Sequence, residues 1–493
     1  MTAVAGGDTP FHHTVIRGGL WVGFGFVGQQ AIAVVRTLVL ARLLTPEDFG
    51  LVGLVTLTLF AGLMLTEFGL ESALIQRGDL PARFVHTAWN LMLIRGICLF
   101  VLLQGLAPWI ASALGRPGAE YLLRVGAVSF LLVCVPAVPA ALLLRELCYS
   151  RRMLLDASRD ISGTVFAIVL ALLLQNAWAL LLGLLLGQAV AMICVWFLHG
   201  YRPRWAMDRE ALGIYAEVGR HLYVSGLLTY VVTRGDDIAV AKLRGVHDLG
   251  QYQVVFGISE MLTRGLSEMV GKVVFPAYSR IVAEGRRLGD VLDEVWCVLL
   301  FLLLPVGAVM FVFAEKIVSL LLGDQWVPAA TAFAVLAVAQ TLRALAAACG
   351  SFILAGGKAI YLPRIKVLEV VCFAVLIVPL TARWGLVGAA SCLVLMYSLS
   401  LVAHVDGAHQ VEPILGRVLR SSWEPLAVTL SFTALAWRLC PDRALSVVIC
   451  IVLWFAMWMT YVRVRHARLI RKIWGAVQGN PTTAPPFDTP VSR

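Results

Sequence analysis

Charge is scarce in this chain: Asp, Glu, Lys and Arg make up 14% of 493 residues, against 60% apolar side chains. A water-facing exterior needs more polar surface than that, and the mean hydropathy of +0.85 points the same way. Strand-like alternation is missing, which argues against a membrane β-barrel. No cleavable signal is expected, because the first apolar run follows polar Thr9 to Arg17 and is too long for a signal core. The ten cysteines include no Cys-x-x-Cys spacing. Most sit in apolar stretches (Cys98, Cys134, Cys194, Cys349, Cys372) and read as small buried residues, not disulfides or metal ligands. A Gly-rich phosphate loop is also lacking, which excludes ATP hydrolysis by this chain. The nine histidines are scattered, and no cofactor or metal is expected. No loop outside the membrane exceeds roughly a dozen residues, so there is no room for a periplasmic catalytic domain.

What is present is apolar length. Runs of about 18 or more such residues can span a bilayer as helices. About fourteen occur, at 17–40, 49–70, 86–108, 120–143, 160–175, 177–198, 221–241, 250–276, 292–314, 328–350, 360–382, 385–404, 422–440 and 443–462. The expected fold is all-α and polytopic. Only Asn176 separates the fifth and sixth runs, and a helical hairpin is assumed there.

The net charge of +10 could suggest nucleic acid, but its distribution suggests a membrane. Lys and Arg crowd alternate loops: Arg77 and Arg83; Arg145, Arg151, Arg152 and Arg159; Arg202, Arg204, Arg209 and Arg220; Arg280, Arg286 and Arg287; Lys358, Arg364 and Lys366; Arg417 and Arg420; then 463–472. The intervening loops carry few. This asymmetry places the crowded loops and both termini in the cytoplasm, and no nucleic-acid partner is expected.

The chain also repeats itself. Ala41-Arg42-Leu43, four residues and Asp48-Phe49-Gly50 return as Ala241-Lys242-Leu243, four residues and Asp248-Leu249-Gly250. Leu114-Gly115 and Leu322-Gly323 keep the order. Two six-span copies in the same orientation are expected, related by a pseudo-twofold along the membrane normal. The division reads 1–13 cytoplasmic, 14–200 first lobe, 201–406 second lobe, 421–462 an appended helix pair, and 463–493 a basic then disordered tail. The stretches 145–157 and 200–220 are expected to be short amphipathic segments; within 208–220, Leu212, Tyr215, Ala216 and Gly219 suit an interfacial helix.

Charges inside spans cost about 2.5–3.5 kcal/mol each and face protein or water, not lipid. This chain keeps Arg36, Arg95, Arg124, Arg234, Asp236, Asp237, Glu260, Arg264, Glu268, Lys272, Arg343 and Glu369 there. Gln29 and Arg36 share a face of the first span, and Tyr230, Arg234 and Asp237 share one on its proposed copy. Glu260, Arg264, Glu268 and Lys272 form an i,i+4 stripe. A wet cationic cavity for an anionic cargo is one reading, since guanidinium matches phosphate geometry. Plainer readings stand beside it. The stripe and Arg234–Asp237 can pair on their own helices, and Arg36 can snorkel. Trp21, Gln29, Tyr223, Tyr230 and Tyr252 suit sugars but also suit packing.

The residues Ala41 through Leu51 resemble the first external turn of polysaccharide-type flippases in the multidrug/oligosaccharidyl-lipid/polysaccharide exporter superfamily. So do Ser72 through Arg77, Asp237 through Tyr252, Val274 through Arg280, and Leu322-Gly323-Asp324-Gln325-Trp326. The likeness covers most of 14–470 and is nearest the Wzx-like branch with colanic-acid exporters. It departs at Arg244, which stands where relatives commonly carry an apolar residue. The resemblance implies fourteen helices in two lobes in a bacterial inner membrane. It implies alternating access, and a polyprenyl-pyrophosphate-linked oligosaccharide crossing to the periplasmic leaflet for surface polysaccharide. The pyrophosphate would meet Arg36, Arg234 and Arg264, in a cavity completed by Gln29, Tyr230, Lys272, Arg95, Arg124 and Arg343. Asp236, Asp237, Glu260 and Glu268 are the candidates for coupling to H+ or Na+. Membrane lipids and a polymerase of the same pathway are the other expected partners. A cation-coupled drug exporter is the alternative, disfavoured by the in-span arginines. A membrane polymerase or glycosyltransferase is another, disfavoured by the absence of a large acidic loop.

Overall fold

A computed structural model describes residues 25, 28–66, 69–76, 81–113, 115–116, 118–261, 288–439 and 454–460. Among the described residues there are helices and turns and no strand. In the first half, α1 covers 28–43, α2 Pro46–Leu65, α3 Leu70–Gln76, α4 Ala82–Ala113, α5 Ala119–Gly126, α6 Val128–Arg145, α7 Tyr149–Leu174 and α8 Ala177–Leu198. In the second, α9 covers Arg209–Arg244, α10 246–261, α11 Leu288–Val312 and α12 Ala314–Leu322. A 3-10 turn, Asp324–Ala329, leads into α13 Ala330–Ala355 and α14 Tyr361–His409. The last described helices are α15, Leu415–Leu439, and α16, 454–460. Among the described residues, eight helical segments are long and apolar enough to cross a bilayer on length and composition alone. A described helix lies at each of the fourteen expected positions; α14 supplies two, because its backbone breaks at Gly385 (φ 59°, ψ −134°).

Local chemistry sets the breaks. Thr45 accepts a hydrogen bond from the Asp48 amide while the Asp48 side chain accepts from Thr45, and Pro46 opens α2 where no amide donor is needed. The matching glycines Gly115 and Gly323 have φ of +65° and +105°, which a side chain would strain, so both copies end a helix there. Asn176 caps α8 by accepting from the Trp178 amide at 3.1 Å, confirming the expected hairpin. α7 and α8 then touch backbone to backbone through Gly163, Gly183 and Gly187.

Two expected connectors are corrected. Residues 149–157 are not a loop segment but the start of α7, with Leu155 buried. Residues 209–220 are not a separate segment; they are the first turns of the 36-residue α9. Asp208 caps that helix by accepting from Ala211, and Thr87 holds the Asp208 amide at 3.0 Å. Ala211 and Tyr215 then pack with α3 and α4, and the Tyr215 hydroxyl donates to the Phe84 carbonyl at 3.1 Å. The connector before α9 is pinned as well: Tyr201 meets His86 at 3.0 Å, and burial pushes its phenol up to about 12.

The later turns of α9 join a different core, with Val232, Ala239 and Val240 packed among α10, α12, α13 and α14. One helix thus belongs to the packing of both halves. The appended pair docks on α11: Trp454 and Trp458 stack at 5.8 Å, and the Trp458 indole donates to the Phe301 carbonyl at 3.0 Å. Between α15 and the helices α11, α13 and α14 runs an apolar groove of about 820 Å³, lined by Trp296, Leu304, Leu342, Val405 and Leu426 among others. Trp458→Ala removes a fully buried ring and its hydrogen bond and is expected to cost about 3–5 kcal/mol. A lowered thermal unfolding temperature of the detergent-solubilised variant checks this; an unchanged one contradicts it.

Candidate functional site

The passages from α1 to α2 and from α9 to α10 lie together, at what is termed the turn end. There the two copies of the repeated motif cross. A Cβ placed on Gly50 would collide with the Val246 carbonyl, and one on Gly250 with the Pro46 carbonyl and, at 2.7 Å, the Gly50 amide. Each motif glycine therefore lies on the backbone of the other copy, as a pseudo-twofold requires. The Gln325 amide donates to the carbonyls of Ala41 at 2.8 Å and Leu44 at 3.1 Å, and the Trp326 indole to Ala41 at 2.9 Å. In return, Arg42 donates to Leu321 at 3.2 Å and to Leu320. Arg244, the departure from the family pattern, pairs with Asp248 at 3.2 Å within its own turn.

Below this junction α2 faces α9. Tyr230 stacks on Phe60 with ring centres 5.9 Å apart, and the Arg234 guanidinium lies 5.2 Å over the same Phe60 ring. Arg234 also pairs with Asp237 at 3.3 Å, one partner 43% exposed and the other 6%. Arg343 on α13 pairs with Glu260 on α10 at 3.1 Å, with the arginine 33% exposed. By helical rise, Arg234 lies roughly 15 Å and Arg343 roughly 20 Å from the turn end, within a hydrocarbon thickness of about 30 Å. Two partly exposed guanidiniums are thus held at mid-bilayer depth, each tied to one carboxylate with further N–H groups to offer.

The neighbouring polar groups are buried more deeply. Asp236 is 2% exposed and accepts from the Tyr252 hydroxyl at 2.8 Å and the Asp237 amide at 3.0 Å. Glu369 accepts from Lys366 and from Ser400, both at 2.6 Å. The Ser400 link and the Phe60 platform were missed in the sequence. Ser400 and Phe60 look like ordinary span residues until the helices are packed.

The other expected site residues divide. Arg36 faces α7, where Asp160 and Arg159 are the charges acting on it. Gln29 is half-buried on α1, and its neighbour Gln30 reaches the Met261 carbonyl at 3.5 Å. Arg95 donates to Thr66 at 2.8 Å and to the Leu63 carbonyl, at the end of α2. Arg124 pairs with Glu120 on its own short helix at 2.7 Å. Tyr230 and Tyr252 are buried in packing and leave little face for a sugar. Arg264, Glu268, Lys272, Trp21 and the Tyr223 side chain lie outside the described residues, as does 274–280.

A family model described as "Polysaccharide biosynthesis protein" matches residues 39–331, more than half of the chain. The chain belongs to that family. It is similar to the succinoglycan biosynthesis transport protein ExoT of Rhizobium meliloti (strain 1021), 26% identical over 341 residues, 69% of this chain and 68% of that one. It is also similar to the lipopolysaccharide biosynthesis protein WzxC of Escherichia coli (strain K12), 21% identical over 430 residues, 86% of this chain and 87% of that one. Among solved structures, the lipid II flippase MurJ in an inward closed conformation superposes with a TM-score of 0.74 at 12% identity, covering 92% of this chain and 99% of that one. An inward-facing multidrug resistance MATE family transporter gives 0.58 at 17% identity, covering 80% and 96%. These last two show a shared fold. The chain is thus a multi-pass helical membrane protein of that polysaccharide biosynthesis family.

The Arg343–Glu260 pair joins α13 to α10 and can be tested as a unit. Exchanging Glu260→Gln and Arg343→Gln separately and together is expected to show a coupling of about 0.5–3 kcal/mol in unfolding free energy. Additive effects would mean that the two groups do not act as a pair.

Proposed function

We propose that this transporter moves a polyprenyl-pyrophosphate-linked oligosaccharide from the cytoplasmic to the periplasmic leaflet of a bacterial inner membrane. The observation that carries this reading is the pair of partly exposed arginines, Arg234 and Arg343, set at mid-bilayer depth. Such groups are costly in a membrane unless they serve an anion or a wet path. A diphosphate offers several acceptor oxygens, and guanidinium donates to them in pairs. Membership of a polysaccharide biosynthesis family supports a glycan as the rest of the cargo. The apolar groove beside α15 offers a surface on which a prenyl chain can rest while the charged head crosses.

In this reading the moving bodies are the lobes at 14–200 and 201–406, with the first turns of α9 travelling with the first lobe to which they are packed. The turn end faces the periplasm, because the basic loops lie at the other end. Both termini are then cytoplasmic, and the pair at 421–462 stays docked on the second lobe. Arg36 is a further candidate for binding the diphosphate, as is Arg264, which lies outside the described residues. Asp236, Asp237 and Glu260 are the groups through which H+ or Na+ would drive the cycle, and a polymerase of the same pathway would take the product.

Each of Arg234→Ala and Arg343→Ala removes charged hydrogen bonds of about 1.5–3 kcal/mol to the diphosphate. In cells lacking their own copy of the gene, each is expected to lower surface polymer about tenfold or more, at unchanged protein level. Arg234→Lys is expected to be milder. Full polymer from the double alanine variant would remove the cationic reading.

A further inference from the structure

The carbonyls at the end of a helix have no partner within it and must be satisfied from outside. α2 is served by its own half, where Arg95 reaches the Leu63 carbonyl. α1 and α12 differ. The carbonyls of Ala41 and Leu44 are capped by Gln325 and Trp326 from the second half. The carbonyls of Leu320 and Leu321 are capped by Arg42 from the first. Trp326 is fully buried and packs edge-on against Phe49 at 5.3 Å, and Gln251 holds the Gln325 carbonyl at 3.2 Å. We propose that this reciprocal capping, closed over the Gly50–Gly250 crossing, is the gate of the turn end. The exchange of its caps for water would let the two halves part there.

Three features favour a reversible gate over a fixed joint. The crossing itself is made of glycine against backbone, so the side chains that must unpack as it separates lie beside it, Trp326 on Phe49 among them. The capped carbonyls stand at helix ends, where water reaches them on opening, so the open state leaves no orphaned acceptor in lipid. The two caps are mutual: each half supplies donors to the other, so one movement releases both sets. Gln325 and Trp326 follow the positive-φ Gly323, which turns the chain out of α12 toward α1. The gate is therefore built in part from the Leu322–Trp326 stretch that carries the family resemblance.

The assignment rests on the transport reading, but its test does not need cargo. Spin labels on azidophenylalanine replace two exposed aromatic residues near the turn end, Tyr121 in the first half and Trp384 in the second. The full chain is placed in lipid nanodiscs, and the distance distribution is read by double electron–electron resonance. The unaltered gate is expected to favour the shorter distance. Gln325→Ala with Trp326→Ala, and separately Arg42→Ala, are each expected to raise the longer-distance population about fivefold or more. Arg42→Ala leaves the Trp326 packing untouched and decides the matter if the double variant does not fold. A distribution unchanged in the folded variants would overturn the gate. Transport by the same labelled protein in vesicles reports on the function independently, so either reading can fail without the other.

Discussion

Everything else in this fold is arranged around one close approach: two helix starts, α2 and α10, crossing with glycine on backbone. The crossing at Gly50 and Gly250 brings the two halves near enough for the Ala41 carbonyl to accept from Trp326. That approach shuts one end of the molecule and fixes the spacing of α2 and α9 beneath it. Phe60, Tyr230 and Arg234 meet because of that spacing. The repeated motif is thus a structural joint with a reason for recurring, since each copy must supply both a glycine and a backbone for its counterpart.

The second constraint is electrostatic. Placing Arg234 and Arg343 at mid-depth is tolerable because Asp237 and Glu260 stand beside them. Removing either member would leave a charge in a poor dielectric, whereas the intact pair keeps the guanidinium oriented. A multivalent anion can compete for the remaining N–H groups without being asked to create the site. The deeper contacts, Asp236 with Tyr252 and Glu369 with Ser400, keep polar groups satisfied inside the second half.

Much of this was legible in the sequence. Apolar run length marked the fourteen helix positions, and Asn176 and Thr45-Pro46 marked breaks whose capping is now explicit. The repeat marked the pseudo-twofold. What the sequence could not show was which in-span charge meets which element. Arg95 and Arg124 read like Arg343 by hydropathy alone. Packing sends the first to a helix end and the second to Glu120, while only Arg343 reaches across to Glu260. Residues 208–220 failed for a related reason: an amphipathic pattern is the same whether the apolar face meets lipid or, as here, α3 and α4.

The central claim, that a positively charged cleft moves a phosphate-bearing lipid, is tested most directly in liposomes containing the purified full chain. Two fluorescent lipids with the same short glycan and prenyl tail are compared, one linked through pyrophosphate and one through a neutral ether, and arrival in the far leaflet is read by an impermeant quencher. The account expects protein-dependent movement of the pyrophosphate-linked lipid and little movement of the neutral one. Equal rates for the two would contradict it.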